Sequence, residues 1–205
     1  GNVITDQLLI HETPLSRSYQ LSSHTAHHHD PENRLFGGAP RKRLEAELIR
    51  DTALFVGRQF NPARVGPTIR KAGQYDLDYT FDSTRRSVYV PWFRNSMLDL
   101  FEVFDAPNPN LVVGKRTVTN LPTQALFLMN SSFIREQANL TAQRLLSEKA
   151  TITRAYQLIL SRPPTGSEHA STQSFLDRFN PDQKEEAWTQ VCQTLFACLD
   201  FRFLD

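Results

Sequence analysis

The sequence has no long apolar run. A membrane-spanning helix needs ~20 consecutive apolar residues. The longest run in the second half of the chain, Ala125 to Met129, has five. The opening residues, Gly1-Asn2-Val3-Ile4-Thr5-Asp6, lack the basic-then-apolar layout of a secretory signal. An excess of either charge sign is missing as well. Basic residues number 23 and acidic residues 22, for a formal net charge of +1. That excludes the basic surplus of a dedicated nucleic-acid binder, so nucleic acid is not expected as a partner. Cysteine is scarce, with only Cys192 and Cys198. On one helix, six steps would set them ~9 Å apart along the axis and on different faces. A disulfide needs Cα atoms within ~7 Å, so free thiols are expected. No C-x-x-C-H is present to attach a c-type haem, and no cysteine-based zinc motif occurs. The sequence contains no G-x-S-x-G, P-loop or H-E-x-x-H.

What is present is a balanced globular composition. Hydrophobic residues make up 40% and charged residues 22% of 205 residues, enough for a core in one domain or two small ones. The periodicity predicts a mainly α fold, with about seven to eight helices around one core and a small β-hairpin insert. A single domain over 1–205 is expected. It divides into an irregular segment over 1–40, a hairpin over 77–90 and a helical part over 96–205.

The helices are read from apolar spacing and end signals. Arg41 to Arg58 carries Leu44, Leu48, Phe55 and Val56 at helical spacing, with Ile49 and Ala53 beside them. Glu45, Glu47, Arg50 and Asp51 are assigned to its polar side. Ser96 is placed as the cap of a helix bearing Met97, Leu100, Phe101 and Phe104. Pro122 opens another, almost wholly apolar from Gln124 to Met129 and therefore expected to be central. Ile134, Ala138, Thr141 and Leu145 mark the next stripe. Ile152, Ala155, Tyr156, Ile159 and Leu160 mark the one after. Thr165-Gly166-Ser167-Glu168 reads as a capping box. After Asn180-Pro181 a last stripe runs through Trp188, Val191, Cys192, Leu195, Phe196 and Leu199. Between these helices, Leu77, Tyr79 and Phe81 alternate with polar residues, and Val88-Tyr89-Val90 follows the turn residues Asp82 to Arg85. Together they predict the hairpin.

Residues 85–133 carry a denser pattern. Arg85-Arg86-Ser87-Val88-Tyr89-Val90-Pro91 precedes Arg94-Asn95, Phe104-Asp105 and Pro109-Asn110-Leu111. Arg116, Thr119, Pro122-Thr123-Gln124-Ala125-Leu126, Leu128-Met129-Asn130 and Phe133 follow. In order, these motifs closely resemble the uncharacterised C-terminal domain of large planctomycete envelope proteins, which often carry a cytochrome-c-like module. The flanks resemble it too, from Ser18-Tyr19-Gln20-Leu21-Ser22 to Phe201-Arg202-Phe203-Leu204-Asp205. The resemblance implies an exported or envelope-associated parent protein, an extracytoplasmic location and other modules of that protein as partners. It implies no activity. It leads to the expectation that the chain is the later part of a longer protein, without the haem module. Two departures stand out: Thr119-Asn120 in place of paired small hydroxyl residues, and a histidine-rich stretch from Thr25 to Asp30.

Three groups of residues could carry chemistry. Arg85, Arg86, Arg94, Lys115 and Arg116 would form an anion site if they converge, because the guanidinium fork grips sulfate, phosphate or carboxylate with paired bonds. The structural alternative pairs them with Asp82, Asp99, Glu102 and Asp105, pinning the hairpin to the helices. Tyr89 and Trp92 form a candidate aromatic surface for stacking. His24, His27, His28 and His29, with Asp30, offer imidazoles to a divalent metal, and also read as a solvated polar loop. No other cofactor is expected. The leading expectation is a helical structural or binding module. The alternatives are an enzyme domain acting on an anionic polysaccharide or envelope substrate, and metal binding by the histidine loop. An anionic glycan is the candidate ligand.

Overall fold

A computed structural model of the chain describes residues 42–71, 73, 79–94 and 96–204. The larger of two compact units is Leu44–Arg202. Seven α-helices lie in it: α1 (Ala46–Val56), α2 (Asp99–Val103), α3 (Pro122–Asn130), α4 (Ser132–Ser147), α5 (Ile152–Leu160), α6 (Gly166–Leu176) and α7 (Lys184–Ala197). In the second unit, Lys42–Arg43 (β1) pairs antiparallel with Phe203–Leu204 (β4), Lys42 opposite Leu204.

The core of the larger unit follows the helical periodicity. Ile134, Ala138, Thr141 and Leu145 of α4 are all buried, as are Ile152, Ala155, Tyr156, Ile159 and Leu160 of α5. α7 packs chiefly against α4, and also against α3, α5 and α6. It contributes Val191, Cys192, Leu195 and Phe196 to the core. Burying an aromatic or aliphatic side chain of this size is worth ~1.5–3 kcal/mol, so this helix pair holds much of the bundle's stability. Both cysteines are free, and burial pushes the Cys192 thiol up to about 12. The helix ends also match their signals. Thr165 accepts from the Glu168 amide while Glu168 accepts from the Thr165 amide, a complete capping box. No helix among the described residues is long and apolar enough to cross a membrane.

Four local expectations are corrected. α1 begins at Ala46 rather than Arg41, because the chain before it is extended and the Leu44 amide donates to the Arg202 carbonyl at 2.8 Å. Its buried line is Ala46, Ile49, Ala53 and Val56, which turns Leu48 outward to 44% exposure. α2 begins at Asp99 with Leu98 at its cap position, and no side chain caps it. α3 is not central: only Gln124 and Leu128 are buried, and Leu126 and Met129 are each 55% exposed. Gln124 and Leu128, four apart, mark its buried face, with Phe127 half-buried beside them against Phe104.

The hairpin is the fourth. A small antiparallel ladder exists, but it pairs Arg70–Lys71 (β2) with Tyr79–Thr80 (β3). Val88 and Tyr89 lie in a single 3₁₀ turn, Ser87–Tyr89. The reason is hydrogen-bond accounting. The carbonyls of Ser83 and Arg85 accept from the Arg50 guanidinium, and the Ser87 amide donates to Asp51 at 2.8 Å. Backbone groups already satisfied by α1 side chains have no need of a ladder.

Four helices are followed by a non-glycine residue in the left-handed region: Arg58 after α1, Asp105 after α2, Lys149 after α4 and Ser161 after α5.

Candidate functional site

The larger unit holds a cleft of about 880 Å³. Its walls are the second half of α1 with Gln59 beyond it, the segment from Tyr79 to Thr84, Ser96 to Leu100 at the start of α2, and the first turns of α4.

The α1 wall is set by Arg50. It sits on the buried side of the helix at 5% exposure, among core residues. Its Nη1 donates to the Arg85 carbonyl at 3.0 Å and to the Ser87 hydroxyl at 3.1 Å, and its Nη2 donates to the Ser83 carbonyl. The Ser87 hydroxyl in turn donates to Asp51 at 2.6 Å. Burial lowers the Arg50 pKa from its ordinary value, with the charge of Asp51 opposing that. Burial likewise raises the Asp51 carboxyl, although the Ser87 bonds and the nearby Arg50 and Arg86 charges pull the other way. Arg50 therefore positions the segment 83–87, and its donors face protein acceptors.

The chemistry presented to the cleft is hydroxyl, carboxylate and aromatic. Ser83, Thr84, Ser96, Ser131 and Ser132 supply hydroxyls, and Asp82, Asp99 and Glu136 supply exposed carboxylates. Asp82 also faces Arg70 at 3.5 Å across exposed surface, a pairing worth little in water. Tyr79, Phe81, Phe127 and Phe133 are half-buried around it. Tyr79 is braced by Phe93, stacked at 4.9 Å between ring centroids. Gln137 closes the floor, its side-chain amide donating to Gln59 Oε1 at 3.2 Å.

The candidate arginines and aromatics lie elsewhere, whereas Asp82 and Asp99, expected as ion-pair partners, line the cleft. Arg85 donates to the Gly66 carbonyl at 2.6 Å. Arg116 grips Glu47 with two bonds of 2.8 Å and reaches Glu45 at 3.1 Å. Burial works against the ionised Glu47, but the Arg116 bonds outweigh it and hold that carboxyl below its ordinary value. Asp105 accepts from the Thr119 amide at 2.9 Å and from the Thr119 hydroxyl at 2.8 Å. Arg86, Arg94 and Lys115 are exposed. None of these six residues lines the cleft. Tyr89 is 37% exposed and its carbonyl accepts from Thr68 at 2.8 Å. Trp92 is half-buried, stacked on Phe101 at 5.6 Å. His24, His27, His28 and His29 fall outside the described residues. Among the described residues no cluster of three or more His, Cys, Asp or Glu is placed to hold a metal.

A family model, PSD1, a protein of unknown function (DUF1553), matches residues 7–176. The chain belongs to this family. No curated protein and no solved structure matches it. The PSD1 match spans every residue that lines the cleft and ends at the last residue of α6. α7, which packs across α3 to α6, lies beyond it.

Arg50 is the residue that sequence reading misplaced. A charged residue one step from an apolar stripe reads as solvent-facing. Its burial depends on acceptors 33 to 37 positions away, and no local signal in the sequence reports those.

Proposed function

We propose that the chain is a helical binding module of an exported or envelope-associated protein, working beside other modules of that protein, and that its cleft takes an uncharged glycan. One observation carries the reading: hydroxyls and carboxylates line a recess walled by half-buried aromatic rings. Carboxylates and hydroxyls accept and donate to vicinal sugar hydroxyls, while aromatic faces cover the apolar face of a sugar ring. The exposed charges that line the cleft are acidic, because Arg50 is buried and engaged by backbone carbonyls. That supports an uncharged ligand over a sulfated or phosphorylated one. The resemblance of residues 85–133 to the envelope-protein domain supports the setting.

The test is calorimetry of neutral and sulfated oligosaccharides against the wild type, Glu136→Gln, Phe81→Ala, and an Arg86→Ala, Arg94→Ala double variant. A neutral glycan should bind, and loss of a charged hydrogen bond or a ring face should weaken it roughly tenfold in either cleft variant. Binding only of sulfated glycan, lost in the double arginine variant, would move the site to the exposed arginines. Release of new reducing ends during titration would make the domain an enzyme.

A further inference from the structure

The connection between α2 and α3 carries a run of exposed apolar side chains. Leu111 is 66% exposed, Val112 is fully exposed and Val113 is 43% exposed. Val118 at 69% and Leu121 at 50% follow within the same connection. Isolated exposed apolar residues need no explanation, but three in succession at the tip of an ordered loop do. The tip is shaped by its own hydrogen bonds. The Asn110 amide donates to the Asn108 side chain at 2.9 Å, the Leu111 amide to the Asn108 carbonyl at 3.1 Å, and the Asn110 side chain to the Arg94 carbonyl at 2.9 Å.

Past Asp105, the connection itself carries charge of one sign. No Asp or Glu occurs from residue 106 to residue 135, in a chain with 22 of them in 205 residues. Lys115, two residues past Val113, is exposed, and so is Arg94, whose backbone Asn110 holds. Arg116, three residues past Val113, is already engaged by Glu45 and Glu47. An exposed apolar stretch with the further cations Lys115 and Arg94 beside it matches an anionic lipid surface. There apolar side chains enter the acyl boundary while basic groups meet the headgroups.

We propose that Leu111, Val112 and Val113 form a membrane-seating loop, steered to anionic lipid by Lys115 and Arg94. The site is separate from the cleft and does not depend on the cleft's ligand. Co-sedimentation of the full chain tests it, using vesicles of phosphatidylcholine alone and vesicles that also contain phosphatidylglycerol. The wild type should partition onto the anionic vesicles, and Val112→Asp should weaken that by roughly tenfold or more. Lys115→Glu should remove the preference for anionic over zwitterionic vesicles. Val112 is solvent-exposed, so Val112→Asp should keep the wild-type melting midpoint, and Glu136→Gln in the cleft should bind vesicles as the wild type does. Wild-type protein that stays in the supernatant overturns the proposal. So does a Val112→Asp variant that partitions unchanged, which would leave surface charge alone as the cause.

Discussion

Arg50 and Arg162 both fasten irregular chain to a helix, by different means. Arg50 is buried and donates to backbone carbonyls and one serine, with its nearest carboxylate contact to Asp51 at 3.9 Å. Arg162 is partly exposed and donates to two carboxylates, Glu168 at 2.7 and 2.8 Å and Asp200 at 2.7 and 2.9 Å. It also lies over the Tyr156 ring at 5.8 Å. The first arrangement substitutes for missing secondary structure, because it satisfies buried acceptors that a ladder would otherwise take. The second ties two acidic termini together: Glu168 in the first turn of α6 and Asp200 in the 3₁₀ turn after α7. A buried bond to a neutral carbonyl is costly to lose, whereas a carboxylate pair half in water is screened and titrates.

The largest predicted effect tests the first half of this contrast. Arg50→Ala should cost about 3–5 kcal/mol in urea unfolding, because it strands the Ser83 and Arg85 carbonyls and removes one of the two cations near Asp51. A loss under about 1 kcal/mol would show that the 83–87 segment is held by something else. Arg162→Met should cost less, about 1–2 kcal/mol after allowance for solvent screening.

Acid should separate the two regions further. Arg162 and the Thr165 amide hold the Glu168 carboxyl down to about 2, from an ordinary 4.5. A depressed folded pKa stabilises above the unfolded value and loses that contribution as pH falls through the folded one. The Arg162 region should therefore weaken between about pH 4.5 and about 2. Asp51 shifts the opposite way, raised chiefly by burial, so its protonation in acid favours the folded state. Hydrogen exchange should show the amides of α6 losing protection in acid before those of α1. Equal loss in both helices would erase the distinction.

The smallest effect belongs to Gly57. A Cβ there would collide with the Gln137 side-chain carbonyl. At an unstrained site glycine-to-alanine stabilises by about 0.4–1 kcal/mol. Gly57→Ala should instead destabilise by a similar amount, and Gln137→Ala in the same chain should restore the gain in thermal unfolding.

Much of the fold was legible and most of the cleft was not, for one physical reason. The stripes of α4 and α5 are set by local period, and Pro122 and the Thr165 box are local signals, so they could be read in place. Val88 to Val90 has the composition of a strand, yet Asp51 and Arg50 had already engaged the backbone beside it. Leu48 and Leu126 fit an apolar stripe but remain 44% and 55% exposed. The cleft gathers Tyr79, Ser96 with Asp99, and Glu136 from three separate stretches of chain, and no spacing rule joins them. The arginine-rich segment is dense in motifs. Part of that density serves anchoring: Asp105 holding Thr119, and Arg116 holding Glu47.

The left-handed residues at the helix ends bear on how the sequence can drift. Arg58, Lys149 and Ser161 each place a Cβ where glycine sits without strain, at a cost of roughly 1–2 kcal/mol against a right-handed conformation. Selection removes only the changes that drop a protein below its working threshold. These three positions record slack that the rest of the bundle absorbs, and they are the first places to recover it by glycine substitution. Asp105 shares the backbone but not the freedom. Its carboxylate holds the Thr119 end of the loop that projects Val112, so glycine there would relieve the turn and release the loop together.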